Sequence, residues 1–377
     1  MKIDGLTKII EGCTKLTVPI TKNIKGPGSR SCPVFYNPAM EFNRDVSVLV
    51  LANYVRSRGN NYIVRAIDGL AGTGIRGVRL ANEVPGKLEI WINDRNQASF
   101  DLIKKNIRAN KLKNARAKDN DLNNLLIDNR NKFDYIDVDP FGSPIEFIEQ
   151  SVRTLRDKGM FSVTATDTAT LCGHYPKTCL RRYGAIVFKT PFNHEVGIRI
   201  LVGYCIRQAA KYDTSLSPIL VHSTDHYYRI YFASKNGSRR TNENLKNIGY
   251  VWYNKDTGER GFSPEPVTEL QFSGPLWTGQ LYEKDIVNSL KNYDLNLGSI
   301  EKINKMLLLW QDEAEAPGLY YDISDLSSRF KMSPPKMDNT FNALKNNGYL
   351  ATRTHFDPQG FRTDAEIKDL KKIMINI

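Results

Sequence analysis

A chain of 377 residues, 41% hydrophobic and 25% charged, has room for more than one domain and the composition of an ordinary globular protein. No apolar run approaches the ~20 residues that span a bilayer, and MKIDGLTKIIEGCTKLTVPI carries charges where the apolar stretch of an export signal would lie, so neither a membrane span nor a leader is expected. The net charge of +12 favours a polyanionic partner, nucleic acid ahead of an anionic membrane surface, and five cysteines without a CxxC pair support neither a disulfide framework nor a four-cysteine zinc site, which fits a reducing cytoplasm.

From Asn61 onward strands and helices alternate. NYIVRAIDGL reads as a β-branched strand ending in an Asp-Gly turn, and GIRGVRLANEV as a helix stopped by Pro85-Gly86. KLEIWIND is a second strand. NQASFDLIKKNIRANKL places Phe100, Ile103 and Ile107 at helical spacing. Ala115 to Asp119 is a weak third strand, FDYIDVD the fourth, SPIEFIEQSVRTLRDKG a helix and MFSVTATD the fifth strand. After the long helical stretch HEVGIRILVGYCIRQAAKYD come PILVHST and YYRIYFAS, too close together for a crossover and therefore an antiparallel hairpin. The expected fold is α/β: five parallel strands joined by right-handed crossovers and closed by that hairpin, the class I methyltransferase sheet. A dehydrogenase sheet would need another crossover helix at that point.

Between the first strand and helix lies DGLAGTGIRG, starting at Asp68. Gly69, Gly72 and Gly74 let the backbone turn sharply and approach a ligand at a helix N-terminus, where free amides attract electron-rich groups. Asp94 follows Gly74 by 20 residues at the end of the second strand, placed to accept hydrogen bonds from ribose hydroxyls. Together they point to an adenosine cofactor, either NAD or S-adenosylmethionine. Asp119 and Asp121, the latter preferred and followed by Leu122, are candidates near the adenine; an exposed polar turn is the plain alternative for both.

The fourth strand ends in DVDPFGSP. Strand ends at the carboxyl edge of such a sheet face the ligand crevice. An exocyclic amine on a nucleobase is a poor nucleophile because its lone pair is conjugated with the ring. Asp139 and the carbonyl of Pro140 can accept its N–H bonds and turn the lone pair toward a methyl donor. Proline holds the preceding residue extended, Phe141 can stack on the base, and Gly142 lets the chain turn. The plain alternative is a helix cap followed by a turn.

D-P-F-G resembles the D/N-P-P-Y/F element of amino-methyltransferases. PVFYNPAMEFNRD, GLAGTGIRG, DVDPFGSP, VTATDTATLCG, HEVGIRILVGYCIRQAAKYD and ATRTHFDPQG, in this order over nearly the whole chain, resemble the tRNA guanine-26 N2-dimethyltransferase family. The resemblance implies S-adenosylmethionine as donor, guanine N2 of tRNA as acceptor, and transfer of one or two methyl groups. It implies that Arg44, Arg76, Asp94 and Asp121 bind the cofactor with the glycine loop, that Asp139 is catalytic beside Pro140 and Phe141, and that Phe35 is a second aromatic wall for the base. Many relatives carry a four-cysteine zinc cluster where this chain reads GYVWYNKDTGERGFSPEP; no cysteine stands here, so no metal is expected and packing must hold the segment. Cys172 and His174 tempt as a nucleophilic pair, but Cys172 reads as a small core residue.

After Ser234 the rhythm breaks in KNGSRRTNENLK. The expected domains are residues 1–238, binding S-adenosylmethionine and carrying the chemistry, and 239–377, an α+β domain that touches tRNA and whose end has a winged-helix-like pattern. Arg239, Arg240, Arg353 and Arg362 are its candidate phosphate contacts. Competing readings are methylation of an rRNA guanine or DNA adenine, a non-catalytic RNA-binding module and an NAD-dependent oxidoreductase.

Overall fold

The computed structural model describes residues 5–20 and 34–377. A hairpin of β1 (Leu6–Glu11) and β2 (Thr14–Pro19) precedes helix α1 (Glu41–Ser57). Then follow β3 (Val64–Asp68), α2 (Ile75–Glu83), β4 (Leu88–Asn93), α3 (Gln97–Ala109), β5 (Ala115–Lys118), α4 (Leu122–Ile127), β6 (Phe133–Val138), α5 (Ile145–Thr154) and β7 (Leu155–Ala165). Next come α6 (Thr168–Leu171), α7 (Pro176–Tyr183), α8 (Asn193–Ala210), β8 (Thr214–Thr224), β9 (Tyr227–Asn236), α9 (Ser238–Leu245), β10 (Ile248–Tyr253), β11 (Arg260–Ser263) and β12 (Gln271–Trp277). The last elements are α10 (Lys284–Ser289), α11 (Ile300–Glu315), β13 (Tyr321–Asp322), α12 (Ile323–Phe330), α13 (Met337–Asn346), β14 (Thr352–Arg353), β15 (Gly360–Arg362) and α14 (Ile367–Ile375).

The main sheet has the order β5-β4-β3-β6-β7-β9-β8, and the pairs from β5 through β7 are parallel. A two-residue turn at Asp225 and His226 joins β8 to β9, with Asp225 in the left-handed region at φ 48°. So short a link forces antiparallel pairing. The later strand β9 lies inside, next to β7, and β8 takes the edge, as in the class I methyltransferase sheet. One boundary differs from the sequence reading. The helix expected through Gly159 ends at Thr154, because buried Leu155 already pairs with Phe133 and starts β7; an irregularity between Phe133 and Tyr135 absorbs the early start.

The chain forms two compact units, and the expected boundary at 238/239 falls at the start of α9. The first unit comprises residues up to Thr166 with Tyr231–Asn236 and Asn288–Lys305. In it β6 is buried along its whole length, as a central parallel strand should be. The N-terminal hairpin is tied to α1 and α2 by buried charges: Arg44 grips Glu11 with two 2.6 Å hydrogen bonds, and Arg79 pairs with Glu11 at 2.8 Å, Asp45 at 2.6 Å and Glu83 at 2.8 Å. Burial pushes the Glu11 carboxyl up, but Arg44 and Arg79 outweigh it and hold it below the usual carboxylate range.

The second unit comprises Asp167–Ile230, Gly237–Val287 and Met306–Ile377. Its three-stranded sheet β11-β10-β12 takes in the stretch GYVWYNKDTGERGFSPEP. Among the described residues no group of three or more His, Cys, Asp and Glu side chains could hold a metal. Arginines fasten the segment. Arg260 lies over the rings of Phe192 and Tyr321, at 4.6 and 4.1 Å, and donates to the Tyr320 carbonyl at 2.8 Å. Arg329 donates to the carbonyls of Lys255 and Asp256.

Towards the C-terminus β13, α12, α13, β14 and β15 follow one another, with sheet order β13-β15-β14, the winged-helix pattern. Arg362, on β15, is only 3% exposed and pairs with Glu195 at 3.0 Å and Glu313 at 3.1 Å. It therefore does not serve as a phosphate contact, and that expectation is corrected. Glu313 also accepts from the ring and backbone of His355, whose Nε2 takes the Ser223 amide at 3.1 Å. These donors and the Arg362 charge outweigh burial and lower the Glu313 carboxyl to about 2. A depressed carboxylate contributes stability that is complete above its unfolded value near 4.5 and is lost as pH falls through about 2. Urea unfolding between pH 6 and 2 should therefore show an acid loss that Glu313→Gln reduces by about 3 kcal/mol; an unchanged acid slope in the variant would contradict the pairing.

Candidate active site

The site is built where β3, β4 and β6 end. Gly69 donates its amide to the Asp137 carbonyl at 3.0 Å, Ala71 to Asn93 at 2.9 Å, and Gly74 to Ala71 at 2.8 Å. Gly72 and Gly74 have φ of 54° and 77°, left-handed values that disfavour a side chain. A Cβ at Gly69 would lie 2.6 Å from Leu122 Cδ2, and one at Gly72 would lie 3.1 Å from the Phe35 carbonyl oxygen. The loop is therefore packed against Leu122 on one side and Phe35 on the other, with the backbone itself as its surface. Buried Asn93 locks it: its amide donates to the carbonyls of Gly69 and Asn120, and its oxygen accepts from the Asn120 amide. The sequence reading passed over Asn93, whose one signal is its place beside Asp94.

Asp94 joins the loop directly. One carboxylate oxygen accepts from the Gly72 amide at 2.8 Å and the other from the Asn96 amide at 2.9 Å. Burial raises this carboxyl from its ordinary value, against the pull of the two amides. Asp68 is turned inward, accepting the Gly77 amide in the first turn of α2 at 2.9 Å. Burial and the neighbouring Asp137 push the Asp68 carboxyl up to about 7.

Arg76, in that same first turn, links the glycine loop to the fourth strand. Its guanidinium donates to Asn43 at 2.7 Å, to Ser47 at 2.6 Å and to Asp139. It also lies 3.7 Å from Asp137, which accepts from Tyr135 and Ser162. Asp139 thus meets Arg76 through Oδ2, and Oδ1 takes no hydrogen bond among the described residues. A carboxylate held by one oxygen on a fixed guanidinium keeps the other oxygen as an oriented acceptor. Neither Asn43 nor Ser47 is among the sequence candidates; in sequence Asn43 reads as a cap for the helix that follows.

Phe141 is 48% exposed, and a Cβ on Gly142, at φ 84°, would meet nothing within 4 Å. Thr166 pins the turn: its hydroxyl accepts the Gly142 amide at 2.7 Å and its amide donates to the Gly142 carbonyl at 2.9 Å. The rings of Phe35 and Phe141 touch edge to face, centroids 4.5 Å apart. A base stacked between two parallel rings needs about 7 Å, two van der Waals spacings. The two aromatics are brought together as expected, but in this arrangement they occupy each other's stacking place.

The remaining candidates lie as follows. The hydrogen bonds of Arg44 go to Glu11 and the Asn37 carbonyl, none to the glycine loop. Asp121 accepts the Asn124 amide at 3.2 Å and caps α4, where the plain alternative is an exposed polar turn. Leu122 is buried against Gly69. Asp119 is exposed. In the second unit, Cys172 lies 2.7 Å from the Tyr228 hydroxyl and 3.5 Å from His194, and burial pushes its thiol up to about 11, so it is a packed thiol and not a nucleophile.

The model of the family described as N2,N2-dimethylguanosine tRNA methyltransferase matches residues 13–375. The tRNA (guanine(26)-N(2))-dimethyltransferase of Pyrococcus abyssi is 39% identical over 96% of each chain, and that of Pyrococcus furiosus 38% identical over 98% of each. A solved structure of Trm1 from Pyrococcus horikoshii with S-adenosyl-L-methionine superposes with a TM-score of 0.88 at 33% identity, covering 98% of this chain and 100% of that one. With the glycine loop and the hairpin-closed sheet in place, these matches over the full length mean that the chain belongs to the N2,N2-dimethylguanosine tRNA methyltransferase family.

Proposed function

We infer that this protein transfers methyl groups from S-adenosylmethionine to N2 of guanine-26 in tRNA, once or twice, with Asp139 as the group that orients the amine. The observation that carries the assignment of Asp139 is its bond to Arg76, which stands in the first turn of the helix that the glycine loop opens. The residues fit the cofactor: the loop presents bare backbone at two left-handed glycines, and no side chain of the N-cap residue Gly74 occupies the start of α2. S-adenosylmethionine supplies an electrophilic methyl on a sulfonium. Asp94 binds its ribose, and the glycine loop with Leu122 lines its adenosine. Asp121 lies next to Leu122 and contributes at the adenine side. Arg44 acts from behind, through its bond to the Asn37 carbonyl, and Arg76 holds Asp139 in place for the amine.

Oδ1 of Asp139 and the Pro140 carbonyl accept the two N–H bonds of the guanine amine, which turns its lone pair out of conjugation. As the N–C bond forms and the S–C bond breaks, the nitrogen becomes cationic and its proton passes to the Asp139 carboxylate or to water. The monomethyl product retains one N–H, enough for one of the two acceptors, so the same site serves a second transfer. Phe35 and Phe141 must part to admit the base. Pulling that base from its stack costs a few kcal/mol, and stacking on the two rings returns about 1–3 kcal/mol each. The tRNA body lies against residues 239–377 as well as the catalytic domain, and the enzyme works in the cytoplasm.

The direct test incubates the protein with radiolabelled S-adenosylmethionine and unmodified tRNA and identifies the labelled nucleoside. Dimethylguanosine is expected. Label in adenosine, or label in rRNA and none in tRNA, would move the assignment to another exocyclic amine. Asp94→Ala should weaken S-adenosylmethionine binding about 10- to 100-fold by calorimetry, the equivalent of about 1.4–2.8 kcal/mol. Unchanged affinity would place the ribose elsewhere.

A further inference from the structure

From Thr168 to His194 the chain has four Lys and Arg residues and no Asp or Glu. The segment starts directly after Thr166 and Asp167 and includes α7. Cys179 and Tyr183 bury one face of that helix, and Lys177 and Arg181, also spaced i and i+4, stand on the solvent side. Arg182 is committed to the fold, pairing with Asp167 at 3.1 Å. Lys177, Arg181 and Lys189 are exposed and take no ion pair or side-chain hydrogen bond among the described residues. Large apolar side chains are exposed between them: Tyr175 at 60%, Leu180 at 53%, and Ile186 and Phe188 at 39% each. Phe188 is braced by Phe272, centroids 6.4 Å apart.

A solvated charged face is ordinary on a protein surface, but it normally mixes both signs and carries few large apolar groups. Uncompensated cations interleaved with exposed aromatic and aliphatic carbon match an RNA strand, whose phosphates alternate with bases and riboses. Of the candidate contacts of the C-terminal region, Arg362 is buried and Arg353 lies 3.6 Å from Asp338. Arg239 and Arg240 on α9 are exposed, but that helix carries no large exposed apolar side chain and includes the acid Glu243.

We propose that the α7 surface, with Lys177, Arg181 and Lys189 on phosphates and Tyr175 and Phe188 against bases or riboses, is a tRNA-binding surface of this enzyme. This rests on tRNA being the substrate. The surface acts on affinity and register of the RNA, while the chemistry stays with Asp139. Phosphate contacts carry no sequence information, so they should hold any tRNA alike and leave the choice of base to the pocket.

The test uses the full chain and an unmodified tRNA transcript. Lys177→Glu/Arg181→Glu/Lys189→Glu should weaken tRNA binding at least tenfold near 0.1 M salt. The slope of log affinity against log salt should fall by about 0.7–0.9 for each lost phosphate contact. Affinity for S-adenosylmethionine and kcat at saturating tRNA should stay within about twofold, since no changed residue belongs to the site, whereas KM for tRNA rises. The milder Lys177→Ala/Arg181→Ala variant, checked by thermal melting, should show the same trend in smaller measure. Wild-type protein that binds tRNA, with variants that bind it with the same affinity and salt slope, overturns the proposal alone and gives the surface to another partner. Wild-type protein that neither binds nor methylates tRNA overturns the substrate assignment and the proposal with it.

Discussion

Replacing Asp139 with alanine is expected to lower turnover by about 10²–10⁴-fold, the range for a positioned acid–base group, while the Kd for S-adenosylmethionine stays within about twofold. The two effects separate because, among the described residues, the Asp139 side chain hydrogen-bonds to Arg76, which keeps its bonds to Asn43 and Ser47 when Asp139 is removed. Asp94, the Gly72 amide and Asn93 are untouched by the change. Asp139→Asn keeps one acceptor oxygen but presents a neutral group beside a developing cation, so its loss should be smaller than that of alanine. Single-turnover methylation of tRNA and calorimetric titration of the cofactor make the comparison. Equal loss of turnover and cofactor affinity would assign Asp139 to holding α2 through Arg76, and full activity would remove it from the chemistry.

The sheet was legible because buried parallel strands announce themselves as short apolar runs, and turn residues mark their ends. FDYIDVD is read and found as β6, and the two-residue gap between the last two strands dictates the hairpin whatever else the chain does. The glycine loop was legible for a backbone reason: Gly72 and Gly74 take left-handed φ of 54° and 77°, and a Cβ at Gly69 or Gly72 would crowd Leu122 or the Phe35 carbonyl. Long-range pairing of charges was not. Arg362 sits in a stretch rich in Thr and Arg that reads as surface, and only the fold brings Glu195 and Glu313 to it. Asp68 reads as a ligand-facing strand end, yet its visible bond is to the backbone of α2. The edge-to-face contact of Phe35 and Phe141 is also beyond sequence, since nothing local relates two aromatics so far apart in the chain. The acid-free stretch around α7 was present in the sequence throughout; exposure of its cations and aromatics is what gives it meaning.

Arg79→Ala should destabilise the protein by about 3–5 kcal/mol, the usual penalty for leaving buried charges without their partner, out of about 5–15 kcal/mol for a typical domain. Its side chain is fully buried and serves Glu11 on the hairpin, Asp45 on α1 and Glu83 at the end of α2. Without it Arg44 must answer for Glu11 alone, and Asp45 and Glu83 lose their cation. Arg79→Lys should recover only part of the loss, because one ammonium cannot reach three carboxylates as a forked guanidinium does. Glu83→Gln should cost less than Arg79→Ala, since it removes a charge instead of orphaning several. Urea midpoints at pH 7 rank the three. The damage should also reach the site: α2 carries Arg79 one turn beyond Arg76, so a loosened helix start weakens cofactor binding in step with stability. An Arg79→Ala protein within about 1 kcal/mol of wild type would mean that water, and not Arg79, neutralises these carboxylates, and that the Arg44–Glu11 pair and the hairpin's bonds to Asn106 and Asn110 are enough to hold it to the catalytic domain.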